Sequence, residues 1–284
     1  MKCVRRIVVM SFAPALFGAA FAGVIGTDDR RAPGDDEVLL VRALGHVVCG
    51  RVVDGVRRRS AGTGTIVGSA STILTASHIF TDDAGRRGSA VRFDPVRDCT
   101  FRQYDDSGEV TDEVAFIRAD LGEDYGNPGA PDDDWAVLKT VRPISGGPVA
   151  LPFANGSGLS AELAGMRVSI LAYHADVRAA RRVPLLSEGE LKVVNYGGDR
   201  RLAHTADMGR MSSGAAIVHR VDDGTFVVVG VNRSSANLGD FNLAVPLTPQ
   251  LEATLRSHAF GQVPDARQRF ASLSAIPVGP RFTR

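Results

Sequence analysis

Between Val38 and Val245 the chain reads as short apolar runs separated by turn signals. The clearest runs are Gly45–Val53, Thr63–Val67, Thr72–Thr75, Ser89–Phe93, Trp135–Lys139 and Arg167–Ala172, followed by Glu190–Val194, Ala215–His219, Thr225–Val231 and Asn242–Val245. Gly-Ser, Asp-Gly, Asn-Gly and Gly-Gly clusters interrupt them, as expected between strands. Val227-Val228-Val229 is continuous rather than alternating, which predicts a strand buried on both faces. Helical periodicity is convincing once, over Thr248–His258, where Pro249 suits a first turn and Leu251 and Leu255 lie four apart. Many strands and one late helix predict an all-β barrel or sandwich. Asp120–Asp134 reads as a long polar loop, without the spacing of an EF-hand calcium site.

The ends differ from this middle. Lys2, Arg5 and Arg6 head an uncharged run from Ile7 to Ala20, and Ala20-Phe21-Ala22 offers small residues where a signal peptidase reads. Residues 1–22 are therefore expected to be a secretory signal peptide, and cleavage leaves no segment for stable membrane association. Residues 23–36 form an N-terminal segment, and 259–284 a tail without periodicity, expected to be poorly ordered.

Composition narrows the classes. The chain has 284 residues, 33 basic against 32 acidic, and a formal net charge of +1. That balance speaks against a nucleic-acid binder, which carries a basic excess. Glycine, 31 of 284 residues against a usual share of about 7%, fits a turn-rich chain. Losing the signal would remove Cys3 and leave Cys49 and Cys99 as an even pair in an oxidising compartment. A disulfide between them is expected, two free buried thiols being the alternative. There is no His-Glu-x-x-His pair, no C-x-x-C and no phosphate loop, so neither a metal nor a cofactor is expected. The arginines of Arg57-Arg58-Arg59 and Arg178, Arg181 and Arg182 are read as solvated hairpin tips.

Three short stretches carry chemistry. His78 ends Thr72-Ile-Leu-Thr-Ala-Ser-His78 just past a strand, where a rigid sheet can hold a general base at a cleft. Met211-Ser-Ser213-Gly-Ala-Ala216 has the tight turn a hydroxyl nucleophile needs, with Gly214 permitting the turn and alanines packing behind it. Among Asp132, Asp133 and Asp134, Asp134 directly precedes an apolar run, so it is the carboxylate best placed to orient a histidine. Their order along the chain, His then Asp then Ser, is that of chymotrypsin.

With these stretches in place, the sequence resembles the chymotrypsin-fold (trypsin-like) serine peptidases, and most of all the secreted bacterial branch that includes the glutamyl endopeptidases. Gly62-Thr-Gly-Thr-Ile-Val, Leu74-Thr-Ala-Ser-His78, Asp134-Trp-Ala-Val-Leu, Ser213-Gly-Ala-Ala-Ile-Val, Val228-Val-Gly-Val-Asn232 and Asn242-Leu-Ala-Val carry the likeness, over roughly residues 24 to 258. Val24-Ile-Gly-Thr-Asp-Asp-Arg30 also looks like the mature start of such enzymes. The resemblance implies a double six-stranded β-barrel with a short C-terminal helix. The peptidase domain would span 37–258, one barrel over about 37–145 and the other over about 146–258. It further implies His78, Asp134 and Ser213 as a catalytic triad in the cleft, with the backbone N–H groups of Met211 and Ser213 as the oxyanion hole.

Three departures qualify the likeness. Met211 stands where the family has glycine, so its side chain is expected to disturb the oxyanion peptide; one lost donor costs roughly 10²–10³ in turnover. Ile79 stands where trypsin relatives carry a cysteine, which excludes their usual disulfide there. Asp207, six residues before Ser213, stands where trypsins place their specificity carboxylate, and Asn232 where glutamyl endopeptidases place a substrate-reading histidine; both are expected to bind substrate. His204, nine residues before Ser213, reads as a strand histidine with a satisfied hydrogen bond.

The expected function is an exported serine endopeptidase, secreted or periplasmic, acting on polypeptides and free of cofactors. The alternative is a catalytically weak or inactive peptidase-fold protein that binds a partner through its cleft, and an esterase using the same triad is a weaker one. The sequence leaves the oligomeric state open.

Overall fold

The computed structural model describes residues 23–82, 91–122, 133–145, 150–154, 163–177, 182–235 and 240–261. The expected signal peptide, most of the polar loop before Asp134, the arginines at 178 and 181 and most of the C-terminal tail lie outside these residues.

A single-turn helix α1 (Val38–Arg42) leads into β1 (Leu44–Val53), which turns at Asp54-Gly55 into β2 (Val56–Ile66). Then follow β3 (Thr72–Thr75), the short pair β4 (Thr81–Asp82) and β5 (Val91–Arg92), the one-turn helix α2 (Pro95–Asp98), β6 (Cys99–Tyr104), β7 (Val110–Leu121) and β8 (Ala136–Thr140). Six of these strands close a barrel in the order β1-β2-β3-β8-β7-β6. Val47, Ile66, Ile73, Phe101, Phe116 and Leu138 fill it. Cys49 and Cys99 lie directly opposite one another in the β1–β6 pairing and are joined by a disulfide, so the expected bridge is present and staples the seam where the barrel closes.

The second barrel is built from β9 (Arg167–Ala172), β10 (Leu185–Tyr196), β11 (Asp199–His204), β12 (Ala216–Arg220), β13 (Phe226–Ser235) and β14 (Asn242–Pro246), closed in the order β10-β11-β14-β13-β12-β9. Ile170, Leu191, Leu202, Ile217 and Ala244 fill it. A third apolar cluster joins the barrels: Leu74, Trp135 and Val137 of the first pack in one body with Leu186, Val218 and Val245 of the second. The fold is thus the double six-stranded β-barrel that the resemblance implied.

The late helix α3 (Pro249–Phe260) begins as its sequence predicts. The Thr248 hydroxyl accepts from the Leu251 N–H at 3.2 Å, and Gly261 ends the helix at φ 71°, the left-handed region that favours glycine. The helix follows the second barrel in sequence yet also packs on the first: Lys139 Nζ donates to the His258 carbonyl at 2.6 Å, and His258 Nε2 meets the Asp120 carboxylate at 2.5 Å.

Candidate active site

β3 ends at Thr75, and Ser77–Phe80 form a single 3₁₀ turn whose Ile79 and Phe80 side chains are buried in the first barrel. That anchoring leaves His78 at the surface of the turn with 43% of its side chain exposed. Asp134 arrives from the other side of the sheet, just before the buried Trp135 that leads into β8, the partner of β3. Both of its oxygens are fully used. Oδ1 accepts from Ser77 Oγ at 2.8 Å and from the His78 N–H at 2.9 Å. Oδ2 accepts from His78 Nδ1 at 2.8 Å and from Arg233 Nε at 3.0 Å. Burial alone would raise the Asp134 carboxyl, but the charge and hydrogen bonds of His78, aided by Ser77, outweigh it and hold it well below the usual range. The bond to Asp134 also fixes the His78 tautomer with its proton on Nδ1, leaving Nε2 as the acceptor.

The turn carrying Ser213 is wedged between the barrels. The Ser213 carbonyl accepts from the Thr63 N–H at 2.9 Å, and Thr63 Oγ1 donates to the Met211 carbonyl at 2.8 Å. Gly214, at φ 89°, passes so close to Thr75 Oγ1 and the Thr63 carbonyl that a Cβ has no room. Gly62 likewise faces Ile79 and the Ser213 carbonyl. The Gly-Thr-Gly-Thr and Ser-Gly-Ala-Ala motifs are therefore two sides of one contact.

Met211 sits at φ 76°, so the side chain is carried on the left-handed backbone that glycine prefers. Within this turn the N–H groups of Ser212, Gly214 and Ala215 are bonded to Gly209, Asn232 and Ser212 carbonyls. Among the described residues, those of Met211 and Ser213 have no partner. The Ser213 hydroxyl donates to the Arg233 carbonyl at 2.9 Å rather than to His78.

The two expected substrate-binding residues are engaged elsewhere. Asn232, buried, donates from Nδ2 to the Ser212 carbonyl at 2.9 Å and Ser212 Oγ at 3.1 Å, while Oδ1 accepts from His204 Nε2 at 3.0 Å. Burial pulls the His204 imidazole down to about 4, against the Asn232 bond, so it is a neutral donor that fixes Asn232 behind the nucleophile turn. Asp207, also buried, accepts the N–H groups of Ile25 at 2.6 Å and Asp29 at 2.9 Å. Burial raises its carboxyl, with these two N–H groups opposing. The segment 23–31 is fastened further by Met208 N–H and Asn242 Nδ2 donating to the Gly23 carbonyl, by mutual bonds of Arg31 and Leu186, and by Arg30 paired with Asp28 and Asp176. Sequence reasoning missed Arg233 and Ser77 as partners of Asp134. A serine beside the histidine was a visible signal; Arg233, 99 positions away, gave none.

A groove of about 530 Å³ lies away from these groups on the second barrel, between Glu37, Arg167, Glu188, His219, Arg220 and Phe226. That groove has mixed charge and holds none of the convergent groups above, so His78 and Ser213 mark the better candidate site.

A family model described as a trypsin-like peptidase domain matches residues 62–231. Among solved structures, a Glu endopeptidase determined with MPD superposes with a TM-score of 0.59 at 22% identity, covering 84% of this chain and 100% of its own. A thermostable serine protease, AL20, from an extremophilic microorganism gives 0.54 at 17%, covering 79% and 99%. The protease Anisep from Arthrobacter nicotinovorans gives 0.50 at 14%, covering 78% and 97%. No curated protein matches the sequence.

Proposed function

Because the chain belongs to the trypsin-like peptidase domain family, we propose that it is an exported serine endopeptidase working through a His78–Asp134–Ser213 triad and an acyl-enzyme. One observation carries the reading: a half-exposed imidazole held through Nδ1 by a buried, ionised carboxylate, at 2.8 Å, beside the wedged serine turn.

In this mechanism Ser213 Oγ turns from the Arg233 carbonyl toward His78 Nε2, a rotamer change on the ps–ns scale. Oγ attacks the scissile carbonyl carbon as its proton passes to Nε2, and the carbonyl π pair becomes the oxyanion. The free N–H groups of Met211 and Ser213 receive that charge, each donor of this kind contributing roughly 10²–10³ in turnover. Collapse breaks the C–N bond, and the leaving amine takes the proton from His78. Water then repeats the sequence on the Ser213 ester, returning the proton to Oγ and releasing the acid. Asp134 keeps the imidazole in the required tautomer throughout and supports the imidazolium.

The Cys49–Cys99 disulfide supports an oxidising destination, secreted or periplasmic, for the chain after removal of residues 1–22. Among the described residues no helix is long and apolar enough to cross a membrane.

The test is a fluorophosphonate probe applied to the folded protein, with casein hydrolysis in parallel. Covalent labelling of the wild type and its loss in Ser213→Ala is the expected outcome. Intact protein that takes up no label at any pH supports instead the partner-binding reading.

A further inference from the structure

We propose that Arg233 is a positioning residue of the triad, reaching from the second barrel to hold Asp134 through its side chain, while its carbonyl takes the Ser213 hydroxyl in the resting site. The inference rests on the serine-peptidase reading above and adds a fourth residue to it.

The backbone shows why Arg233 can do both. In the β13–β14 pairing Asn232 faces Ala244 and Ser234 faces Leu243, so Arg233 is skipped by the ladder. An extra residue of this kind is a β-bulge, which frees the carbonyl from the sheet and re-aims the side chain. The freed carbonyl accepts Ser213 Oγ at 2.9 Å, and the re-aimed guanidinium places Nε 3.0 Å from Asp134 Oδ2. The pair is largely shielded, with 19% of the Arg233 side chain and 11% of that of Asp134 exposed, so water screens it weakly. One residue thus touches the acid and the nucleophile and spans the seam between the barrels.

The chemical consequence follows from sharing. Asp134 Oδ2 serves His78 Nδ1 and Arg233 Nε together, so the carboxylate is already partly compensated when His78 takes a proton. A fixed cation beyond the carboxylate also opposes the new imidazolium. Both effects make His78 a weaker base and, at the second half of each step, a better acid toward the leaving amine. The other neighbours do not offer this. Of the elements packed against the turn carrying His78, β2 and β4 bring Arg58 and Asp82, which pair with each other at 2.6 Å, and β2 also brings the exposed Arg57 and Arg59. β1 brings the buried His46 and Arg51, the latter paired with Asp98 at 3.6 Å, and Arg210 of the nucleophile turn is exposed.

Arg233→Met removes the donor and the charge while keeping an apolar stem of similar reach; Arg233→Lys keeps a cation. Rates of fluorophosphonate labelling are measured from pH 5 to 8, and the downfield His78 Nδ1 proton is followed by NMR in the same proteins. The expected result is that the ratio of the rate at pH 5 to that at pH 8 falls about tenfold in Arg233→Met. The Nδ1 resonance should move with it, and Arg233→Lys should restore most of both. An Arg233→Met protein that keeps the wild-type thermal transition, rate ratio and Nδ1 resonance overturns the proposal. If the wild type takes no label, the peptidase reading fails, while the Nδ1 resonance still decides whether Arg233 acts on the His78–Asp134 pair. If Arg233→Met does not fold, the comparison passes to Arg233→Gln, whose neutral amide removes the charge, with the same two readouts and the same overturning result.

Discussion

Replacing Met211 by glycine separates what the sequence expects of this position from what the backbone shows. From sequence, the side chain should disturb the oxyanion peptide, so glycine should restore a lost donor and raise turnover by roughly 10²–10³. In the structure Met211 already occupies φ 76°, and its N–H and that of Ser213 are both unengaged. The left-handed conformation costs a side-chain-bearing residue about 1–2 kcal/mol, which glycine releases. Against this, glycine widens the unfolded ensemble at a cost of about 0.4–1 kcal/mol. The half-buried Met side chain forfeits about 1 kcal/mol more in contacts. The sum leaves Met211→Gly within about 1 kcal/mol of the wild type, a change in Tm of no more than roughly 2–4 °C. Its second-order labelling rate and ester hydrolysis should change by less than about fivefold, because the donors are already presented. A hundredfold rise in either rate, at unchanged Tm, would falsify this account and return Met211 to the role that sequence assigns it.

Two further predictions concern stability. Asp112 is buried against Arg142, whose hydrogen bonds, aided by the Ser145 N–H, outweigh burial and pull its carboxyl down to about 2. A depressed carboxyl contributes stability that is present above its unfolded value near 3.8 and lost as pH falls through about 2. Asp112→Asn should therefore be less stable than wild type by urea unfolding at pH 7, the gap closing by pH 2; a gap that persists at pH 2 refutes the pairing. The Cys49–Cys99 bridge closes a separation of 50 residues, for which the chain-entropy model gives about 4 kcal/mol. Cys49→Ala/Cys99→Ala should melt roughly 8–16 °C lower in a thermal scan, with the reduced wild type matching it.

The fold and the His–Asp pair were legible because both are local. Each buried run bounded by Gly or Asp turns marks a strand, and His78 and Asp134 stand at the ends of paired strands β3 and β8. Strands β6, β7 and β11 escaped because charge masks their period. In β7 the inward positions are Asp112, Val114 and Phe116, and the first is a carboxylate made tolerable inside by Arg142 and the Ser145 N–H, thirty or more positions on. β11 opens Asp199-Arg200-Arg201 and reads as a turn. Asp207 and Asn232 were assigned to substrate by motif position, whereas their side chains close on Ile25, Asp29 and Ser212. Such choices depend on which distant backbone groups lack partners, and no local window holds that information. Arg233 belongs to the same class, since a bulge is a mismatch between two strands and is invisible in one.

The fastening of residues 23–31 has a consequence for the order of assembly. Gly23 is held by Met208 and Asn242, and Ile25 by Asp207, at separations of 182 to 219 positions. The first barrel, complete by Thr140, closes its strand order without any of these residues, whereas Met208, Asn242 and Asp207 all lie beyond it in the chain. The step that seats the segment beside Met208 therefore comes last, and with contacts so remote in sequence it is expected to be the slow one.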